Sequence, residues 1–249
     1  MNGIRNSFWG NIPPVTKNLL IINIIVWLAM LIVPNKLGFD LESLGGLHYW
    51  SAGEFYPWQF LTYMFMHSTT SFAHLFFNMF TLWMFGRTLE WVLGSSRFLF
   101  FYITCGIGAG IIQELVWMVT WQPDLFHFVA NNTGADMETV RQAYADGLLD
   151  KWQEVFLNKA YLTIGASGAI YGILLAFGML FPNRPLYLFF IPVPIKAKWI
   201  VIGYGVIELL LGLGANDGVA HFAHLGGMIF GFLMIYYWKK KGVVHGDFY

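Results

Sequence analysis

Charge is what this chain has least of. Only 11% of its 249 residues are Asp, Glu, Lys or Arg, against about 25% in an ordinary soluble domain. Fourteen cations cancel fourteen anions, so no net charge draws the chain to nucleic acid. Cysteine is nearly absent too. Cys105 stands alone in an apolar run, which excludes an intrachain disulfide. A lone thiol makes no zinc site without several His or acidic partners, so Cys105 reads as a small core residue. No small-residue cleavage site follows the first apolar stretch, which reads as a retained helix and not a removed signal peptide. What is present is apolar: 57% of the chain, with 24 Phe and 11 Trp. A bilayer as solvent accounts for that balance.

A spanning helix needs roughly 20 predominantly apolar residues. Six segments meet or approach this, at 18–33, 73–92, 98–119, 167–182, 199–214 and 220–238. Pro34 is expected to end the first and Pro182 the fourth. The expectation is an all-α polytopic membrane protein, residues 1–249 forming a single membrane domain. With the N-terminus inside, ten Lys and Arg fall on the inner side and four on the outer, so both termini are expected in the cytoplasm. Two outer segments are long. The first, 35–72, carries Trp50, Phe55, Tyr56, Trp58 and Phe60. That density suits an interfacial loop, and an ordinary packed loop fits it equally well. The second, 121–160, is an outer-loop insertion with an amphipathic surface helix expected over 136–156, starting at Asp136.

Polar side chains at membrane depth need a reason. From Ser167 to Pro182 a helix covers ~22 Å, less than the ~30 Å hydrocarbon core. Its N-terminus therefore starts below the surface, buried in protein or facing water. Ser167 there is placed as a nucleophile, with its own N–H available to an oxyanion. Taken alone, Gly165-Ala166-Ser167-Gly168 reads first as an N-cap serine among packing glycines. In the sixth span His224, Gly227 and Gly231 share a face. Gly227 and Gly231 have the spacing that admits a close partner helix, and Gly168 and Gly172 repeat it in the fourth span. Packing these faces together brings Ser167 near His224, the usual base for a serine. Tyr171, one turn on, is placed to stack on the imidazole. The sixth span holds no acid, so a dyad is the natural reading.

His74 and Asn78 share one face at the start of the second span, and both donate hydrogen bonds. Together they suit an oxyanion hole; metal ligation and interhelical contact are the alternatives. His74, His221 and His224 argue weakly for zinc, because no carboxylate or thiol joins them at suitable depth. Glu90, three residues from Arg87 and close to Ser95, reads as a structural pair or cap. Glu114 is expected to be wet. Asn23 and Glu208 have no evident partner, and Glu208 would suit a transporter's relay.

These motifs together resemble the rhomboid intramembrane serine proteases. The match runs over nearly all of 17–238. It takes in His74-x-x-x-Asn78, Glu90 ahead of Leu93-Gly94-Ser95, Gly165-Ala166-Ser167-Gly168, Tyr171, and Ala223-His224-Leu225-Gly226-Gly227. The resemblance implies a six-transmembrane-helix rhomboid-like bundle. Ser167 would be nucleophile and His224 base and acid. His74, Asn78 and the Ser167 N–H would hold the oxyanion, with Tyr171, Gly165 and Gly168 in support. His221 lies outside that set. The resemblance further implies no metal and no cofactor, transmembrane protein substrates, a bacterial inner membrane and a site open on the extracytoplasmic side. One departure stands out: where the family often carries Trp-Arg, this chain has Trp58-Gln59. Two other functions compete. A transporter should show internal repeats or paired interrupted helices, and the sequence has one short helix and no such repeat. An inactive rhomboid-like client-binding protein would be marked by loss of Ser167 or His224.

Overall fold

In the computed structural model, residues 8–188, 191–214 and 219–244 are described; Arg5, counted above on the inner side, lies outside them. A short 3-10 turn, Phe8–Asn11, leads into α1, Pro14–Leu37. Pro14 opens α1 at the position where proline's missing N–H costs nothing. The helix does not stop at Pro34 but runs three residues further, to where the Gly38 N–H closes on the Pro34 carbonyl.

The segment expected as the first outer one holds α2 (Leu41–Gly45), β1 (Leu47–His48) and α3 (Gln59–Thr62). The expected second span is one continuous helix in three parts: α4 (Phe72–Thr81), a π-turn over Leu82–Gly86, and α5 (Arg87–Leu93).

Helix α6, Ser95–Thr133, is 39 residues long, about 58 Å and nearly twice the ~30 Å hydrocarbon core. The hydrophobic run stops near residue 119; the helix does not. Beyond that point Leu125 and Val129 are buried in one cluster with Val140, Phe156 and Leu157. Packing replaces lipid there as the reason for helix. The expected surface helix is two, α7 (Met137–Ala145) and α8 (Asp150–Ala160), broken at Gly147 with φ +71°. Asp136 does cap α7, accepting from the Glu138 and Thr139 N–H groups at 3.0 Å. These donors hold its carboxyl below the usual range.

Strand β2, Leu162–Thr163, pairs antiparallel with β1. It ties the first outer segment to the residues just ahead of α9, Ser167–Leu180. A hairpin that the apolar pattern did not announce follows, β3 (Pro185–Leu188) against β4 (Ile191–Lys196). Helices α10 (Ala197–Gly214) and α11 (His221–Lys240) complete the chain. At the centre, α11 packs along both α6 and α9. Helices α1, α6 and α10 are long and apolar enough to cross a membrane.

Glu90 shows how this lattice treats a buried charge. It is 2% exposed and accepts from the Val15 and Thr16 N–H groups at 2.9 and 2.7 Å. It also accepts from the Thr16 hydroxyl at 2.8 Å and the Ser95 hydroxyl at 2.7 Å. The carboxylate caps α1 from another helix, where free N–H groups and the positive dipole end favour an anion. Arg87 instead lies over the Trp83 ring. We predict that Glu90→Ala lowers stability by about 2–3 kcal/mol, read by thermal unfolding in detergent; an unchanged midpoint would contradict the capping role.

Candidate active site

The site is set by two helices that touch backbone to backbone. A Cβ at Gly227 would lie 1.8 Å from the Gly168 carbonyl oxygen. One turn on, a Cβ at Gly231 would lie 3.1 Å from Gly172 Cα, and one at Gly172 would meet the buried Cys105 thiol at 2.6 Å. These glycines let α9 and α11 approach closely. The helix of 14 residues that begins at Ser167 is about 21 Å long, short of a full crossing. Its first turn offers backbone N–H groups without intrahelical partners.

That contact brings the two ends together. The Ser167 hydroxyl lies 2.8 Å from His224 Nε2. The Tyr171 ring stacks on the imidazole at 4.3 Å between centroids and 6° between planes. Behind the imidazole stands an acid that does not come from the sixth span. Glu208 of α10, 5% exposed, takes His224 Nδ1 on Oε2 at 2.9 Å and His221 Nδ1 on the same oxygen at 2.7 Å. Its Oε1 accepts from the Tyr171 hydroxyl. Two expectations are thereby corrected. Glu208 has three partners, so the bare Ser-His pair has an acid behind it. The argument that no carboxylate joins the histidines at that depth also fails. Their ligand atoms lie within 4.8 Å of one another. The spacings are those of hydrogen bonds, shorter than the ~3.3 Å that separates donors around tetrahedral zinc. One sequence signal pointed this way: a lone carboxylate in an apolar span demands buried donors, and Tyr171, His221 and His224 were the donors at hand.

His74 and Asn78 of α4 line the same cleft of about 760 Å³ as Ser167, Gly165, Gly168 and His224. The Ser68 N–H donates to His74 Nδ1 at 3.3 Å, which leaves the proton of a neutral ring on Nε2, a donor. Gly165 separates the two: a Cβ there would lie 2.9 Å from His74 Nε2 and 3.5 Å from the Ser167 hydroxyl. Its φ of +138° also requires glycine. Its N–H donates to the Tyr63 carbonyl at 2.9 Å. His67, which no motif singled out, packs its ring 5.1 Å from His74.

Gln59, at the place of the family's frequent arginine, is fully buried. Its carbonyl oxygen accepts from the His48 and Tyr56 N–H groups, and its amide donates to the Glu54 carbonyl at 2.9 Å. It acts as a neutral hub for the first outer segment. Trp50, Tyr56 and Trp58 are exposed around it, Tyr56 stacked on Trp58, and Phe55 and Phe60 are half-buried. Glu114 is buried, not wet, and accepts from the Trp50 N–H at 3.0 Å. Asn23 is buried as well and donates to the Leu19 carbonyl of its own helix.

Known sequences resemble this chain over most of its length. The Rhomboid domain family model matches residues 54–121 and 143–241. The chain belongs to the rhomboid family. Rhomboid protein 1, mitochondrial, of Saccharomyces cerevisiae is 30% identical over 174 residues, covering 70% of this chain and 40% of the yeast protein. The putative rhomboid protease YdcA of Bacillus subtilis is 24% identical over 233 residues, 92% of this chain and 90% of that one. Rhomboid protease GluP of the same organism is 29% identical over 180 residues, 70% of this chain and 25% of GluP. The chain thus spans well under half of the yeast protein and of GluP. Residues 122–142, between the two matched stretches, cover the end of α6 and much of α7.

Two tests follow. Gly227→Ala should cost about 3 kcal/mol or more, because its Cβ meets backbone, which yields less than a side chain; a fully stable variant would refute the packing. His67 is buried and lies beside His74, which together push it down to about 3 from an ordinary 6.5. The folded ring stays neutral while the unfolded one takes up a proton. Stability should therefore fall as pH drops from about 6.5 towards 3, by up to ~1.4 kcal/mol per pH unit. The difference between wild type and His67→Phe across that window isolates this loss; parallel curves would contradict it.

Proposed function

We propose that this rhomboid is an intramembrane serine endopeptidase, a hydrolase of peptide bonds in or beside transmembrane segments of membrane-protein substrates. The observation that carries the reading is the 2.8 Å contact between the Ser167 hydroxyl and His224 Nε2, at the start of a short helix that opens on a cleft. Ser167 Oγ attacks the scissile carbonyl carbon as His224 Nε2 takes its proton. The C–O bond forms and the carbonyl electrons move to oxygen. The Ser167 N–H, His74 Nε2–H and the Asn78 amide hold that oxyanion. The tetrahedral intermediate then breaks its C–N bond, and His224 returns the proton to the departing amine. Water, deprotonated by His224, releases the acyl group and restores Ser167. Tyr171 holds the imidazole plane, Gly165 makes room for His74, and Gly168 makes room for Ala109 of α6. No metal or cofactor takes part in these steps.

The same reading places the chain as one membrane domain of six spans: α1, α4 with α5, α6, α9, α10 and α11. Lys and Arg counts support cytoplasmic termini, with the cleft opening extracytoplasmically. The similarity to YdcA of Bacillus subtilis over most of its length supports a bacterial cell membrane. The exposed aromatics Trp50, Tyr56 and Trp58 suit an interfacial first outer loop.

Purified protein should cleave a transmembrane model substrate and take up a fluorophosphonate probe on Ser167. Ser167→Ala and His224→Ala should each abolish both, a loss on the order of 10³-fold or more. Undiminished cleavage by either variant would reject the assignment. Probe-silent, inactive wild-type protein would favour client binding without proteolysis.

A further inference from the structure

We propose that Glu208 is a positioning residue of this site, fixing His224 in the tautomer that accepts the Ser167 proton, so that serine, imidazole and acid act in line across three helices. The proposal rests on the serine protease reading above and deepens it.

A carboxylate only accepts hydrogen bonds. With Glu208 Oε2 at 2.9 Å from His224 Nδ1, the proton of the neutral ring sits on Nδ1. The lone pair then lies on Nε2, 2.8 Å from the Ser167 hydroxyl. With no acceptor behind it, the ring is free to carry its proton on Nε2 and to point a donor at the nucleophile. When Nε2 takes the serine proton, the imidazolium faces the carboxylate; the Nδ1 proton stays on nitrogen.

The acid is itself held. His221 Nδ1 donates to the same oxygen at 2.7 Å, and the Tyr171 hydroxyl donates to the other. Tyr171 thus touches both partners, its ring on the imidazole and its hydroxyl on the acid. His221, one turn before His224, gains a role as the clamp on Glu208. The neighbours of Glu208 along α10, Ile207, Leu209, Leu210 and Leu211, are exposed apolar side chains. A carboxylate at that depth is costly unless paired, and among the described residues its bonds converge on the imidazole and the residues that hold it.

The test uses the full-length protein and a fluorogenic transmembrane substrate, with Ser167→Ala and His224→Ala as references. Glu208→Gln keeps the shape but removes the charge that holds both Nδ1 protons and that the imidazolium faces. We expect kcat to fall on the order of 10²- to 10⁴-fold, with KM within about twofold and the unfolding midpoint retained. Glu208→Asp should regain at least about tenfold of that loss. Histidine ¹⁵N spectra should show Nε2 of His224 unprotonated in the wild type and largely protonated in Glu208→Ala, which leaves Nδ1 without an acceptor. A Glu208→Gln variant within about twofold of wild-type kcat, beside inactive Ser167→Ala and His224→Ala, overturns the role of Glu208 and leaves the Ser-His reading standing. Full cleavage by Ser167→Ala overturns both. Should Glu208→Gln fail to fold, the wild-type spectrum decides alone: a proton on Nε2 overturns the proposal.

Discussion

The contact of Gly227 with the Gly168 carbonyl is the constraint on which the rest depends. It brings α11 against α9 with no side chain between them, and so sets the separation of Ser167 from His224. The third partner, α6, offers a face of small residues to the same contact. A Cβ at Gly168 would meet Ala109, and one at Gly226 would meet Ile112 and Ala109. Three helices thus converge where two backbones nearly touch. In a membrane, where apolar side chains gain little by leaving lipid for one another, such close approach is a main source of helix association.

Around this centre, several deep polar groups take partners from another part of the chain. Glu90 fastens α5 to the start of α1 and α6. Glu208 fastens α10 to α9 and α11. Glu114 fastens α6 to Trp50, and Gln59 gathers the carbonyl and N–H groups of the first outer segment. These bonds are local in space and distant in sequence. They hold because an unsatisfied polar group at low dielectric costs more than a lost hydrogen bond in water. The β1–β2 ladder does the same with backbone alone, joining the first outer segment to the residues that lead into Ser167.

The stretch through α7 and α8 is built on different terms. Its helices pack on the end of α6 through Val129, Val140, Phe156 and Leu157, which continue the core of the helix bundle. Its first part, residues 122–142, lies between the two stretches that match the rhomboid family, while α8 and β2 lie within the second.

What the sequence determined by itself was whatever a single element carries. Apolar runs marked the helices, because burial in lipid depends on each segment's own side chains. The short span beginning at Ser167, the glycine spacings and the shared face of His74 and Asn78 followed from helical period alone. The end of α6, the break in the surface helix and the β3–β4 hairpin escaped it. Each depends on what a segment packs against, and hydropathy does not encode that. The Glu208 bond escaped for a sharper reason. An acid in one helix and two histidines in another become partners only through the rotation and depth of both helices. Those are fixed by contacts such as Gly227 on Gly168, between residues far apart along the chain. Only the tertiary structure decided them, and with them the tautomer that the imidazole presents to the serine.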